Sequence, residues 1–339
     1  MQALVWQGGQ QYALEDIPRP RAEAGRIVVK VEATAVCGSD FHLEDFGATP
    51  PLIPGHEVAG TVVETGQGVT CCAVGDRVAL DPVQTCGTCW CCMNGCRHLC
   101  RNYRHLGVGN TPGSWAAYVA IDAANAHRIP DTLDLASACL AEPAAVCYES
   151  FQRAGLRTGD RVLILGDGPF GFLHAQVARA LQAGNIVIAG HYDQRLQRIA
   201  AATGAIVCNT NRQSLTDLLA TDLGSNGVDV AIEASGSGAS PNIAIQALRP
   251  RGTLVIFSYI WKPQPLEMGL IHMRELNVLG SCRSLDAYPA CLALMAQRRI
   301  RPDLLIDLKL PLGDYASAQT ALQTRKAEVF KVVFCPQPE

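Results

Sequence analysis

The sequence predicts an α/β chain of two domains, a β-rich first half followed by a doubly wound parallel sheet. Two observations predict it. From Met1 to about Val146 the chain runs as short alternating segments, such as Ile27-Val28-Val29-Lys30-Val31-Glu32-Ala33, punctuated by turn residues at Gly8-Gly9, Pro18, Pro20 and Gly25. From about Cys147 to Leu285 apolar strand runs alternate with helical patterns, as in a parallel sheet covered by helices. A length of 339 residues agrees, because each of two domains of roughly 150 residues can bury its own core.

Within the first part, Val58 to Glu64 reads as a strand ending at Gly66, and Gly75-Asp76-Arg77 turns into Val78-Ala79-Leu80. Short strands with such turns suggest a folded-over barrel. In the second part Thr158-Gly159-Asp160 turns into the strand Arg161-Val162-Leu163-Ile164-Leu165. Gly166-Asp167-Gly168-Pro169-Phe170-Gly171 follows and opens a helix through about Leu181. Ile186 to Ala189, Val228 to Ile232 and Thr253 to Phe257 are further strands, and helices are expected from Ala287 to Gln297 and near Tyr315 to Gln323.

The hydrophobic share of 48%, the charged share of 17% and the net charge of −3 give neither a basic footprint for nucleic acid nor a polybasic membrane patch. Small neutral or mildly charged substrates fit better. Met1-Gln2-Ala3-Leu4-Val5-Trp6 runs straight into strand-like sequence, so no signal peptide is expected. No apolar run approaches the roughly 18 residues of a membrane span. The expected compartment is the cytoplasm.

Fifteen cysteines, an odd number crowded between Cys86 and Cys100, argue for metal binding over a disulfide framework. Cys86, Cys89, Cys92 and Cys100 form a C-x2-C-x2-C-x7-C spacing, with Gly95 letting the chain turn back so that four thiolates close a tetrahedron. Four thiolates leave no open position, so this zinc would be structural. Cys91 and Cys96 could draw an iron–sulfur or alternative zinc set through the same stretch. Cys139, Cys147, Cys208, Cys282, Cys291 and Cys335 read as buried small hydrophobes. A second set lies upstream, where Cys37-Gly38-Ser39-Asp40-Phe41-His42 is followed by Gly55-His56-Glu57. Thiolate, imidazole and carboxylate can hold zinc there, and a hydroxyl and a second imidazole could move protons.

Cys-Gly-Ser-Asp-x-His followed by Gly-His-Glu resembles the zinc-dependent medium-chain dehydrogenase superfamily, the alcohol and polyol dehydrogenases, and the likeness continues to about residue 335. The resemblance implies a GroES-like catalytic domain over 1–146 and 286–339, a Rossmann domain over 147–285, and an active site in the cleft between them. It implies zinc on Cys37 and His56, with Asp40 accepting the other ring N–H of His56 and Glu57 as an exchangeable ligand. Ser39 would take the substrate proton. His42 would be the outer end of that relay or a plain hydrogen-bond donor to the cofactor. The family's structural zinc lobe, over 86–100, has the same cysteine spacing and leaves Cys91 and Cys96 as spare thiols.

Gly113-Ser114-Trp115-Ala116-Ala117-Tyr118-Val119 is similar to a family strand, with Ala117 where an acid is usual. Tyr118 would be an aromatic pocket wall or a packed strand residue. Glu142, before Pro143, resembles the mark of polyol, sugar and threonine dehydrogenases, a third zinc ligand held directly or through water. Glu275 to Gly280 is similar to the family's edge strand, which pairs between subunits, so a homodimer or homotetramer is expected. Arg283 would aim at substrate hydroxyls, or at a phosphate or the surface.

Gly166, Gly168 and Gly171, with Pro169 and Phe170 between, follow a strand and open a helix, the context in which backbone N–H groups approach a pyrophosphate. In the family's register Gly190 stands where an NAD enzyme has its ribose-binding acid. Glycine leaves space for a 2′-phosphate, and His191, Arg195 or Arg198 could supply charge. NADP is therefore slightly favoured over NAD. Asp193 is expected to cap the helix starting near Gln194.

The function this implies is a zinc-dependent NAD(P) oxidoreductase with one catalytic and one structural zinc. It would interconvert a secondary alcohol, in a polyol, sugar or amino alcohol, and the ketone by hydride transfer. The alternatives are a net non-redox, epimerase-type enzyme using tightly bound NAD transiently, and a simple-alcohol or threonine-type dehydrogenase. A zinc-stabilised scaffold is opposed by the intact set Cys37, Ser39, His42, His56 and Glu142.

Overall fold

The computed structural model describes residues 1–223 and 226–336; residues 337–339 of the expected catalytic domain lie outside the described residues. The chain forms two compact units. One gathers Met1–Glu142, Tyr288–Ala296 and the chain from Pro302 onward, and the other gathers Pro143–Ala287 and Gln297–Arg301. The sequence placed its first boundary after Val146, but that residue lies inside the continuous helix Ala141–Ala154, which leaves no linker there.

In the first unit a branched seven-stranded sheet is built on the strand Arg26–Ala35. One side of that strand pairs with Glu57–Thr65, which continues to Arg77–Leu80 and Ala126–Arg128. The other side is shared: Tyr118–Asp122 pairs with its first half, and Lys331–Phe334 pairs at Thr34 and Ala35. The barrel expected from the sequence is thus a branched sheet in its hydrogen-bond pattern. Ile27, Val29, Val31, Val58, Val62, Val78, Leu80, Val119 and Ile121 fill one core, the period-2 alternation sending one side of each strand inward.

The second unit has a six-stranded all-parallel sheet in the order Ile206–Asn209, Ile186–Gly190, Val162–Leu165, Val228–Glu233, Leu248–Ile256, Asn277–Gly280. This is the doubly wound order 3-2-1-4-5-6, whose direction reverses between Val162–Leu165 and Val228–Glu233 and opens a crevice at their C-terminal ends. Strands buried on both faces explain the uninterrupted apolar runs. Asn277–Gly280 is an edge strand. Among the described residues no helix is long and apolar enough to cross a membrane.

Candidate active site

Sheet register builds the first site. Glu57 opens its strand opposite Ala35, and Ala35 is opposite Val333 of the antiparallel strand Lys331–Phe334, so the starts of two strands meet the end of a third. Cys37 follows in extended conformation and leads into the 3-10 turn Gly38–Phe41. That turn returns Asp40, whose Oδ2 accepts the Cys37 N–H at 2.9 Å while its Oδ1 faces His56 Nδ1 at 3.4 Å. Gly55, at φ +93°, lets the chain reach His56, since a Cβ there would collide with the Trp115 ring.

The donor atoms of Cys37, His56 and Glu57 lie within 4.8 Å of one another, and all three residues are buried. Lys331 Nζ donates to Glu57 Oε1 and, at 3.1 Å, to the Val36 carbonyl. Glu57 Oε2 is buried without a hydrogen-bond partner. An orphaned carboxylate oxygen beside a thiol and an imidazole is a donor set that fits zinc. Burial pulls the His56 pKa down, but the charge and hydrogen bond of Asp40, with Cys37, outweigh it and leave it well above its ordinary value. The pocket thus favours positive charge. Glu142 stands outside this three-residue cluster, in the first turn of its helix. Burial pushes its carboxyl up to about 7, with His56 pulling it down and Glu57 pushing it further up.

The four lobe cysteines have Sγ–Sγ separations of 4.0 Å for Cys86–Cys92, 3.6 Å for Cys89–Cys92, 3.7 Å for Cys89–Cys100 and 3.5 Å for Cys86–Cys100. A tetrahedron with Zn–S bonds of about 2.3 Å has edges of about 3.8 Å, so the four sulfurs fit a closed zinc site. The N–H groups of Cys86 and Cys89 point at Cys100 Sγ and Cys86 Sγ, both at 3.4 Å. Neither Cys91 nor Cys96 belongs to the cluster.

In the second unit, a cavity of about 590 Å³ opens at the C-terminal ends of the strands and is lined by Gly166, Asp167, Gly168, Gly190, His191 and Arg195 among others. Gly166 has φ +127°, and a Cβ there would press on the Ala234 carbonyl. Helix Pro169–Ala180 starts at this cavity with Gly168 as its cap, so its N-terminal N–H groups suit an anion. A loop with glycine at 166 and 168 leading into a helix N-terminus fits a dinucleotide pyrophosphate. Gly190, however, is not open space, because a Cβ there would collide with the Asp167 carboxylate. The space where a Gly190 side chain would stand is taken by Asp167.

Residues 23–131 match the alcohol dehydrogenase GroES-like domain family, and residues 169–297 match the zinc-binding dehydrogenase family. Sorbitol dehydrogenase of Bombyx mori is 31% identical over 92% of this chain and 92% of its own length. The chain belongs to the zinc-dependent medium-chain dehydrogenase/reductase superfamily. Within that superfamily it falls in the polyol, sorbitol-like branch. A zinc-binding dehydrogenase structure from Sinorhizobium meliloti 1021 bound to NADP is 31% identical, covers 99% of both chains and has a TM-score of 0.92. A structure described as a short chain alcohol dehydrogenase from Escherichia coli CFT073, complexed with NADH, is 26% identical over 99% of both chains with a TM-score of 0.93.

Other expected site residues of this dehydrogenase are placed as follows. Ser39 is half-buried in the turn beside Cys37, while His42 is exposed with Nδ1 3.0 Å from Asp45 Oδ2. Tyr118 begins the strand Tyr118–Asp122. Its ring lies 3.9 Å from the Arg19 guanidinium in a cleft with Met1, Ile17 and Pro20, which holds no member of the Cys37–His56–Glu57 cluster. Phe170 packs its ring on Phe257 instead of facing the cavity, and Pro169 and Gly171 lie in the first helical turn. Asp193 begins the helix Asp193–Thr203 and, in place of capping it, ties Asn209 and Arg212. Arg283 is half-buried at φ +68°, and Cys282 beside it is exposed, against the expectation of a buried thiol. The sequence reading missed Lys331 and Asp167. A lysine inside the apolar run Val329-Phe330-Lys331-Val332-Val333-Phe334 was the signal for one, and an acid within the glycine loop for the other.

Proposed function

We propose that this dehydrogenase interconverts the secondary hydroxyl of a polyol, sugar or amino alcohol and the corresponding ketone, with one catalytic and one structural zinc and a nicotinamide dinucleotide as hydride carrier. The observation that carries it is the buried Cys37–His56–Glu57 convergence with Glu57 Oε2 left without a hydrogen-bond partner. Cys37, His56 and Glu57 would hold the catalytic zinc, and Cys86, Cys89, Cys92 and Cys100 the structural one. Glu142, expected from the sequence as the third ligand, would act on the water beside the metal. When bound, zinc supplies Lewis acidity to the substrate oxygen and the nicotinamide ring accepts or gives hydride.

The protein's own residues do the rest. Asp40 orients the His56 ring through Nδ1, which leaves Nε2 for the metal. Lys331 fixes the Glu57 carboxylate. Ser39 takes the substrate proton and passes it outward toward His42, which Asp45 steadies. Arg283 would contact substrate hydroxyls. The glycine loop and helix N-terminus seat the pyrophosphate. The edge strand Asn277–Gly280 would pair between copies in a homodimer or homotetramer, and the cytoplasm suits a chain with fifteen cysteines crowded toward metal binding.

The test is formation of reduced nicotinamide by zinc-loaded protein against a panel of polyols, sugars, amino alcohols and simple alcohols, with NAD and NADP in parallel. Turnover of polyols or sugars that disappears in Cys37→Ser, with nucleotide binding retained, supports the assignment. Retention of turnover in Cys37→Ser defeats it.

A further inference from the structure

The ribose end of the nucleotide cavity has an acid, and it comes from an unexpected element. In doubly wound dinucleotide sites the residue that accepts the adenosine ribose 2′-hydroxyl stands at the end of the second strand, about 20 residues after the glycine loop. Here that strand, Ile186–Gly190, ends in glycine. The carboxylate of Asp167, from the loop itself, lies over Gly190: a Cβ built on Gly190 would meet Asp167 Cγ and Oδ2. The carboxylate that the second strand end lacks is supplied by the loop after the first, since Val162–Leu165 and Ile186–Gly190 are paired neighbours. Neither position could carry an acid while the other keeps one.

Asp167 is held for this task. Its Oδ2 accepts the N–H of His191 at 2.7 Å and of Tyr192 at 2.8 Å, so two backbone donors fix the carboxylate in a side chain that is only 7% exposed. Both bonds go to Oδ2. Oδ1 belongs to a residue lining the 590 Å³ cavity beside Gly166 and Gly168.

We propose that Asp167 is the ribose-recognising and nucleotide-selecting residue of this chain, accepting the 2′-hydroxyl and thereby favouring NAD over NADP. The proposal rests on the dinucleotide reading of the cavity. A fixed carboxylate gains a charge-assisted hydrogen bond from a ribose hydroxyl, whereas a 2′-phosphate would place nearly two negative charges against it. The basic side chains that line the same cavity have contacts of their own. His191 Nδ1 is 3.0 Å from Thr210 Oγ1, and the Arg195 guanidinium carbon lies 5.4 Å from the Tyr192 ring centroid. The glycine at the strand end, read alone, points to NADP; read with its neighbour it points the other way.

The experiment measures direct binding of ADP-ribose and 2′-phospho-ADP-ribose to the zinc-loaded full chain by calorimetry, so that no catalytic step enters. Wild type should bind ADP-ribose about tenfold or more tighter, the range of one charge-assisted hydrogen bond. Asp167→Asn retains an acceptor for the His191 and Tyr192 N–H groups but not the charge. It should weaken ADP-ribose about tenfold and bring the ratio of the two ligands to unity or invert it. The exchange Asp167→Ala with Gly190→Asp should restore the wild-type preference, which a loss of loop structure alone would not allow. Preference of the wild type for the 2′-phosphate overturns the proposal, as does an unchanged ratio in Asp167→Asn. If wild type binds neither ligand, the dinucleotide reading fails and takes the proposal with it, an outcome separable from a wrong preference.

Discussion

Lys331 Nζ donates to Glu57 Oε1 in a pair whose two side chains are 3% and 0% exposed. The two residues meet because Lys331–Phe334 and Glu57–Thr65 flank the same end of Arg26–Ala35. A buried ion pair gives little net stability, but losing one partner strands the other charge. Lys331→Met should therefore cost about 3–5 kcal/mol of unfolding free energy, and Lys331→Met with Glu57→Gln should recover a large part of it. Denaturant melts of the zinc-stripped proteins check this, since zinc on Glu57 would itself offset the stranded charge. Equal losses in the single and double variants would show that the cost is not electrostatic.

The lobe cysteines divide into ligands and bystanders on geometry alone. Cys89 Sγ is 3.6 Å from Cys92 Sγ and 3.7 Å from Cys100 Sγ, whereas Cys91 and Cys96 are outside the cluster. Cys89→Ser should remove about one equivalent of zinc per chain and lower the melting temperature, and Cys91→Ser and Cys96→Ser should keep the full metal content. Atomic absorption after gel filtration reads the difference. Metal loss in Cys91→Ser would reassign the ligand set.

Much of this was legible in the sequence because the signals were local. The Cys86 to Cys100 spacing and the strand, glycine loop and helix over 161–181 each lie within one short stretch, and their residues arrive together in space. Lys331 and Glu57 are 274 residues apart and meet only through strand order. Asp167 and Gly190 are similar: each looks unremarkable until the parallel pairing of their strands sets a carboxylate over a glycine. Tyr118 keeps two readings in the sequence for the same reason. Its register opposite Lys30, in the middle of Arg26–Ala35, helps to decide which cleft it lines, and register is not written in a single strand.

His174 gives a pH dependence unconnected with metal. It is fully buried, with Nδ1 2.7 Å from the Phe170 carbonyl and Nε2 2.9 Å from Ser150 Oγ. Burial lowers its pKa from 6.5 to about 4, against a smaller upward effect of the Phe170 carbonyl. Between those values the unfolded chain binds a proton that the folded chain does not, so stability falls as pH drops through the window and levels off below about 4. The whole window is worth about 3 kcal/mol. Urea melts at neutral and mildly acid pH should differ in this direction, and by less in His174→Gln. An unchanged difference in the variant would mean that other groups carry the acid sensitivity.

Ser39 and His42 should separate in a kinetic test because their surroundings differ. Ser39 is half-buried in the turn that carries Cys37, where water cannot easily replace its hydroxyl, so Ser39→Ala should lower kcat about a hundredfold or more. His42 is exposed beside Asp45, at a place solvent reaches, so His42→Ala should cost less and be partly rescued by added imidazole buffer. A larger kcat loss in His42→Ala than in Ser39→Ala would reverse the order of the relay, and no buffer rescue would leave His42 as a hydrogen-bond donor to the cofactor and not a proton carrier.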